Sequence, residues 1–280
     1  MDCTAQWIDY NDTGAFSALV SDYIHGAEVL RPFYKHPVSI EGLKAAIKER
    51  DAFPTDRAAL VQALREQYRP LPPADAVARN LSLLERSTTY VITTAHQPNI
   101  FTGHLYFIYK ILHTIRLAEE AKTALPGYDF VPVYFMGSED ADLDELGHIY
   151  AGGETLTWDT TQTGAVGRMS PKGLDKIVHR LEGEFGGLPH GADMASLIRE
   201  AYLRHDTIQA ATLYLVHALF ADYGLVVLIP DNAQLKRLFL PLFRRELTEG
   251  FSHTAVTGTI ARLGEHYKVQ AAGRDLNLFY

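Results

Sequence analysis

Glu139, Asp140, Asp142, Asp144 and Glu145 place five carboxylates within seven residues, directly after an apolar run. Gathering so much negative charge is costly unless some of it is protonated, paired or metal-bound. A calcium loop starting at Asp140 would need glycine at its sixth position and glutamate at its twelfth, but Glu145 and Ala151 stand there. No metal site is assigned. Asp142 with Glu145 three residues on matches a helix capping box, and Asp144 is expected to face solvent. Glu139 and Asp140 lack such structural work. They are the candidates for a general base or for recognition of an amine.

A second polar segment, TTAHQPNIFTGH at 93–104, has the character of an anion pocket. Gly103 stands at the entry to a predicted helix, where free N–H groups and the helix dipole favour a carboxylate or phosphate. Thr102 adds a hydroxyl, His96 and Gln97 add side-chain donors, and Tyr106 and Lys110 lie one turn apart on the helix. The simpler alternative has Thr102 or Gly103 capping the helix and Asn99 turning the chain after Pro98. Two histidines, Gln97 and Lys110 in one stretch favour the pocket. His96 then joins Glu139 and Asp140 as catalytic. Gln97, Asn99, Thr102, Gly103, His104, Tyr106 and Lys110 bind substrate, with Asp142 and Glu145 beside them. Asp231, after a later apolar run, reads equally well as a ligand contact and as a cap. His179, His205, His217 and His253 read as ordinary helix histidines, and Cys3 has no partner that would activate it.

Strands must position these segments. Residues 1–86 read as helices over 16–25, 40–50, 56–67 and 75–86, broken by RPLPP at 69–73. YVITT at 90–94 and FVPVYFM at 130–136 are short buried strands, and a helix over 104–122 presents Ile108, Ile111, Leu112 and Ile115 on one face. Strand, helix, strand in this order forms a βαβ unit with parallel strands. Ligands bind beyond the carboxyl ends of such strands, where both polar segments fall. Hairpin strands are expected within 149–169, then helices over 175–185, 194–204 and 208–223. LVVLI at 225–229 is a third core strand; helices over 232–249 and 253–266 lead to a strand beginning at 276. The fold class is α/β, with the helical 1–86 packed on a core over 87–280 that carries an insertion around 149–205. A last strand with nothing after it reads as a truncated chain.

The 280 residues carry a net charge of −8 with 47% hydrophobic residues, which suits a packed core and gives no basic run for phosphate binding. Nucleic acid is therefore excluded as a partner, and so is a membrane, since no stretch is apolar for long enough to cross a bilayer. One cysteine and no leader-like start fit the cytoplasm. Neither a Walker loop, nor a glycine-rich dinucleotide turn, nor a Gly-x-Ser-x-Gly elbow is present.

TAHQPNIFTGHLY at 94–106 and SEDADLDE at 138–145 resemble the two signatures of the cysteine-adding enzyme family of bacillithiol synthesis, the first close to T-G-Q-Q-P-x-x-x-T-G-P-L-Y and the second to E-D-H-D-x-x-E. The stretch 267–280, ending in NLFY, resembles a later part of the same family. The resemblance implies a Rossmann-like core, addition of cysteine to glucosaminyl-malate, and a coiled coil for homodimerisation in the half this shorter chain lacks. By position Gln97, Pro98, Thr102, Gly103, Tyr106, Glu139, Asp140, Asp142 and Glu145 match. Ala95 stands for a glycine, His96 for a glutamine, His104 for a proline and Ala141 for a histidine, so no role passes to position 141.

The implied chemistry is amide formation between the cysteine amine and a malyl carboxylate. A carboxylate is a poor electrophile, so the reaction needs a nucleotide, ATP being the candidate cofactor, or an already activated donor. Glu139 or Asp140 would hold the ammonium and take its proton, and His96 would polarise the carbonyl or protonate the leaving oxygen. Two other readings stand beside it. Thr-Gly-His at the strand-to-helix turn is similar to the His-x-Gly-His motif of nucleotidyl-transfer enzymes, although Phe101 departs from it. A sugar-acid sensor without catalysis is the other, against which the five carboxylates argue.

Overall fold

The structure, a computed structural model, describes residues 4–278. Cys3 and the last two residues of the expected final strand lie outside them. The chain divides into two compact units: residues 55–237, and a second formed by 1–54 with 238–280.

The unit of 55–237 opens with α3 (Arg57–Tyr68) and α4 (Asp75–Leu83), which follow α1 (Ala18–His25) and α2 (Ile40–Arg50) of the other unit. Then come β1 (Thr89–His96), α5 (Tyr106–Ala124) and β2 (Asp129–Met136). β1 and β2 pair in parallel over their whole length, Thr89 with Asp129 through His96 with Met136. The βαβ reading holds. After the short α6 (Leu143–Leu146), β3 (His148–Ala151) and β4 (Glu154–Thr157) form the expected antiparallel hairpin. α7 (Asp175–Phe185), α8 (Gly191–Arg204) and α9 (Ile208–Phe220) lead to β5 (Val226–Leu228), which pairs in parallel with β2 and completes the sheet order β1-β2-β5.

Side chains on a strand alternate between faces, so the central strand serves two cores. Tyr134 and Met136 of β2, with Val227 of β5, meet Phe107, Ile111 and Ile115 of α5 and Leu213, Val216 and Phe220 of α9. Val131 and Val133, with Val226, meet Val61, Leu64, Val77 and Leu81 from α3 and α4. Helices on both sides explain why 130–136 is a continuous apolar run. A third core joins the hairpin and α7, α8 and α9, and it includes Ile100 and Phe101 from the loop after β1.

Three sequence expectations need correction here. The buried stripe of α5 runs through Phe107, Ile111, Thr114, Ile115, Ala118 and Ala121, while Leu112 is 42% exposed. Phe107 turns the stripe, because its ring packs edge-on against Tyr134, centroids 5.2 Å apart. Residues 276–278 form no strand. The second unit is helical, with α11 (Leu240–Glu249) and α12 (Phe251–Leu263) following α10 (Ala233–Leu238), so 232–249 is two helices rather than one. Within it the backbone N–H of Asn277 donates to the Glu246 carboxylate at 3.0 Å, a local contact in place of a sheet ladder.

Candidate active site

The loop after β1 and the turn after β2 are tied together directly. Gly137 N–H donates to the His96 carbonyl at 2.8 Å, continuing the ladder past the strand ends. The Tyr134 hydroxyl, buried under the same edge, donates to the His96 carbonyl at 3.1 Å. Gln97 Nε2 donates to Asp140 Oδ2 at 3.1 Å, and Asn99 Nδ2 reaches the Glu145 carbonyl at 3.4 Å. Adjacent parallel strands therefore bring the two polar segments into one place, as the topology requires.

The loop is built on backbone that side chains rarely adopt. Phe101, Thr102 and Gly103 have φ of 51°, 73° and 63° in succession. Such strain persists only where the surroundings over-determine it, and it concentrates at functional sites. Phe101 is held by its ring, 4.4 Å from that of Tyr202, and by its N–H, which donates to the Tyr202 hydroxyl at 2.7 Å. Helix α5 begins at Tyr106 with Leu105 at its N-cap and no side-chain cap. Neither Thr102 nor Gly103 caps it, and the expectation of Gly103 at the helix entry is corrected as well: the helix starts three residues later, and the Gly103 N–H donates to the Ile100 carbonyl at 3.0 Å.

His96 is buried against the rings of Tyr106 and Phe107, 5.3 and 5.2 Å away. Burial, reinforced by the charges of Lys110 and His104, lowers its pKa to about 4. It is therefore neutral at neutral pH. Its Nε2, with Asn99 Oδ1 and Ser138 Oγ, is buried without a hydrogen-bond partner. Unsatisfied polar atoms are costly, and three at one pair of strand ends mark a region shaped for something other than stability. Lys110 Nζ donates to the Ala95 carbonyl at 2.6 Å, which keeps its charge at the end of β1. His104 stacks on Tyr106, centroids 5.6 Å apart.

The proton linkage of His96 gives a measurable consequence. The unfolded ring titrates near 6.5 and the folded one near 4, so the unfolded chain binds more protons between those values. Stability is complete above pH 6.5 and falls as pH drops through 4. A full shift would be worth ~3 kcal/mol, and solvent screening brings the expected loss to about 2 kcal/mol. Urea unfolding at pH 7 and pH 4.5 is expected to show that loss, and His96→Gln is expected to remove this part of it. Equal pH dependence in both proteins would refute the assignment.

The acidic turn is resolved by partners. Asp142 Oδ1 accepts the N–H of Glu145 at 3.0 Å, so Asp142 caps α6 as its spacing suggested. Asp140 Oδ1 accepts the N–H of Asp142 at 3.0 Å, which fixes the carboxylate plane together with Gln97. Asp144 and Glu145 are exposed. Glu139 is bonded to Lys236 Nζ, with Arg168 3.8 Å away. Lys236 also donates to Asp231 at 2.9 Å, and Arg168 grips both Asp231 oxygens at 2.6 and 2.8 Å. The Arg168 guanidinium first, with Lys236, holds the Asp231 carboxyl at about 2.

This four-charge cluster brings Arg168 and Lys236 to the candidate site, and neither was singled out from the sequence. The signal was present in the acidic turn itself, since carboxylates at a strand end require cations from elsewhere. Asp231 is an ion-pair partner. The cap at that point is Asn232, whose Oδ1 accepts from Gln234 and Leu235 N–H groups at 2.9 and 3.1 Å.

Residues 1–280 match the family model of the bacillithiol biosynthesis BshC N-terminal Rossmann-like domain. The chain belongs to that family. It is 39% identical over 275 residues to a Flavobacterium johnsoniae protein named "Putative cysteine ligase BshC", covering 98% of this chain and 52% of that one. The like-named Flavobacterium psychrophilum protein is 40% identical over 276 residues, again 98% and 52%. The Bacillus cereus relative is 25% identical over 242 residues, covering 82% and 44%. The chain thus spans about half the length of the family relatives it matches. The Rossmann-like α/β fold read from the sequence agrees with the family and with the parallel sheet. No helix among the described residues is long and apolar enough to cross a membrane.

Proposed function

We propose that this chain carries the reacting centre of a cysteine ligase that joins the amino group of cysteine to the malyl carboxylate of glucosaminyl-malate. One observation carries the reading: the Gln97–Asp140 hydrogen bond sets an acidic turn against a strained polar loop. Family membership supplies the class of reaction. Asp140 holds the cysteine ammonium and takes its proton, freeing the nitrogen lone pair for attack on the carboxyl carbon. With the carboxylate first activated by ATP, a new C–N bond forms and the bond from the acyl carbon to the activated oxygen breaks, that oxygen leaving on the phosphate group that ATP supplied. His96, neutral through burial, acts by hydrogen bonding to the carbonyl oxygen rather than by delivering a proton from an imidazolium.

The substrate carboxylate lies at the start of α5, next to Leu105 and Tyr106, where no side chain caps the helix and its dipole favours negative charge, with the Thr102–Gly103 turn beside it. Lys110 adds positive potential there. Glu139 is held by Lys236 and serves to organise the second wall of the site. Activation of the carboxylate by ATP, a cytoplasmic setting and homodimerisation through a coiled coil in the longer protein belong to the same proposal.

The test is incubation of the full-length protein with cysteine and glucosaminyl-malate, with and without ATP, read by mass spectrometry. The expected product is the amide adduct, and an ATP requirement would appear as product only in the nucleotide arm. Folded protein that makes no adduct in either arm would overturn the reading.

A further inference from the structure

The β3–β4 hairpin has one face in the core and one face open. Ile149 and Leu156, register partners, pack into the hydrophobic cluster beneath it. The alternation of strand side chains then sends His148, Tyr150, Thr155 and Thr157 to the opposite face, as Tyr150–Thr155 and His148–Thr157 pairs. That face lines an open cavity of 390 Å³, closed further by Asp144, Trp158 and Thr160. The volume is within the ~300–1,000 Å³ typical of small-molecule sites.

The chemistry of the lining is selective. No lysine or arginine borders the cavity, so it offers no fixed positive charge to a phosphate or carboxylate. It offers threonine hydroxyls, one carboxylate and exposed ring faces; Tyr150 is 65% exposed. His148 Nδ1 lies 2.8 Å from the Asp144 carbonyl, which can only accept, so Nδ1 carries the proton and Nε2 of the neutral ring is an acceptor. Acceptors beside an aromatic face fit a ring whose edge donates hydroxyl protons and whose flat side presents C–H groups. A pyranose has both.

The cavity also adjoins the candidate active site. His104 stacks on Tyr150 at 5.7 Å and on Tyr106 at 5.6 Å, and Tyr106 lies 5.3 Å from His96. A continuous series of rings thus runs from the hairpin to the buried imidazole. We infer that the open face of the β3–β4 hairpin is a subsite for the neutral or amino-substituted sugar ring of the carboxylate-bearing substrate, whose acidic end reaches the β1 loop. This rests on the ligase reading only for the identity of that acidic end.

The test has two arms. Saturation-transfer NMR on this chain with methyl glucopyranoside and with glucosamine is expected to show transfer to the ring C–H protons. Tyr150→Ala, and separately Thr155→Val with Thr157→Val, are expected to weaken binding about fivefold to tenfold, as loss of a ring face or two hydroxyl contacts should. Far-UV circular dichroism confirms that each variant is folded. In the full-length protein the same changes are expected to raise KM for the sugar substrate and leave KM for cysteine unchanged. No transfer at tens of millimolar sugar, or equal transfer in wild type and every variant, overturns the subsite. Sugar binding that the variants abolish, in a protein that makes no cysteine adduct, keeps the subsite and overturns the ligase reading. Adduct formation with unchanged KM values in Tyr150→Ala keeps the ligase reading and overturns the subsite.

Discussion

Asp140→Asn is expected to lower cysteine addition by about 10²- to 10⁴-fold, the range that a positioned general base contributes, while leaving the fold intact. The substitution keeps the size of the side chain. Oδ1 can still accept the N–H of Asp142, which it does now at 3.0 Å. The other contact becomes two donors facing each other, Gln97 Nε2 and the new amide, unless the Gln97 amide rotates to present its oxygen. That rotation is available to a half-buried glutamine, so the expected stability change is small, about 1 kcal/mol or less. Charge and basicity are what the variant loses. Steady-state kinetics with mass-spectrometric detection, beside a urea titration, separates the two effects. Wild-type turnover would remove Asp140 from the reaction, and unfolding would make its role structural. Glu139→Gln is expected to be milder, because Asp231 still pairs with Lys236 and Arg168 at 2.9 and 2.6 Å.

The parts of this picture that follow short-range rules were legible in the sequence. The two buried runs and the helix between them specify parallel pairing, and that pairing alone brings His96 beside Met136 and therefore Gln97 within reach of Asp140. The cap at Asp142 was readable because its spacing is local. What was not readable depends on partners far away in the chain. Arg168 lies in a turn-rich segment with no periodicity, yet it meets Asp231, 63 residues later. The strain at Phe101 and Thr102 is invisible in residue types, since neither favours a left-handed backbone. It is imposed by Tyr202, 101 residues away, and by a core that needs the Phe101 ring. The acidic end of β2 was read correctly as anomalous; its cations were not, because ion pairing across a sheet edge leaves no pattern in either segment.

Gly103→Ala is expected to destabilise the protein by roughly 3 kcal/mol and to abolish activity with it, because two separate costs fall on one atom. Gly103 sits at φ 63°, ψ −133°, a conformation that L residues avoid. A Cβ there would also stand 2.7 Å from Cβ and 3.0 Å from Cγ of Asn99. Asn99 is itself buried, 3% exposed, and its amide reaches the Glu145 carbonyl. Pushing it aside therefore loosens the tie between the β1 loop and the acidic turn. The two costs can be separated by a double-mutant cycle with Asn99→Gly, which removes the clashing atoms but not the backbone strain. If the clash contributes, Gly103→Ala should cost about 1 kcal/mol less in the Asn99→Gly background than in wild type. Urea unfolding of the four proteins measures this coupling. A Gly103→Ala protein as stable as wild type would mean that the loop relaxes freely, and the anion-binding geometry drawn from its strained backbone would lose its support.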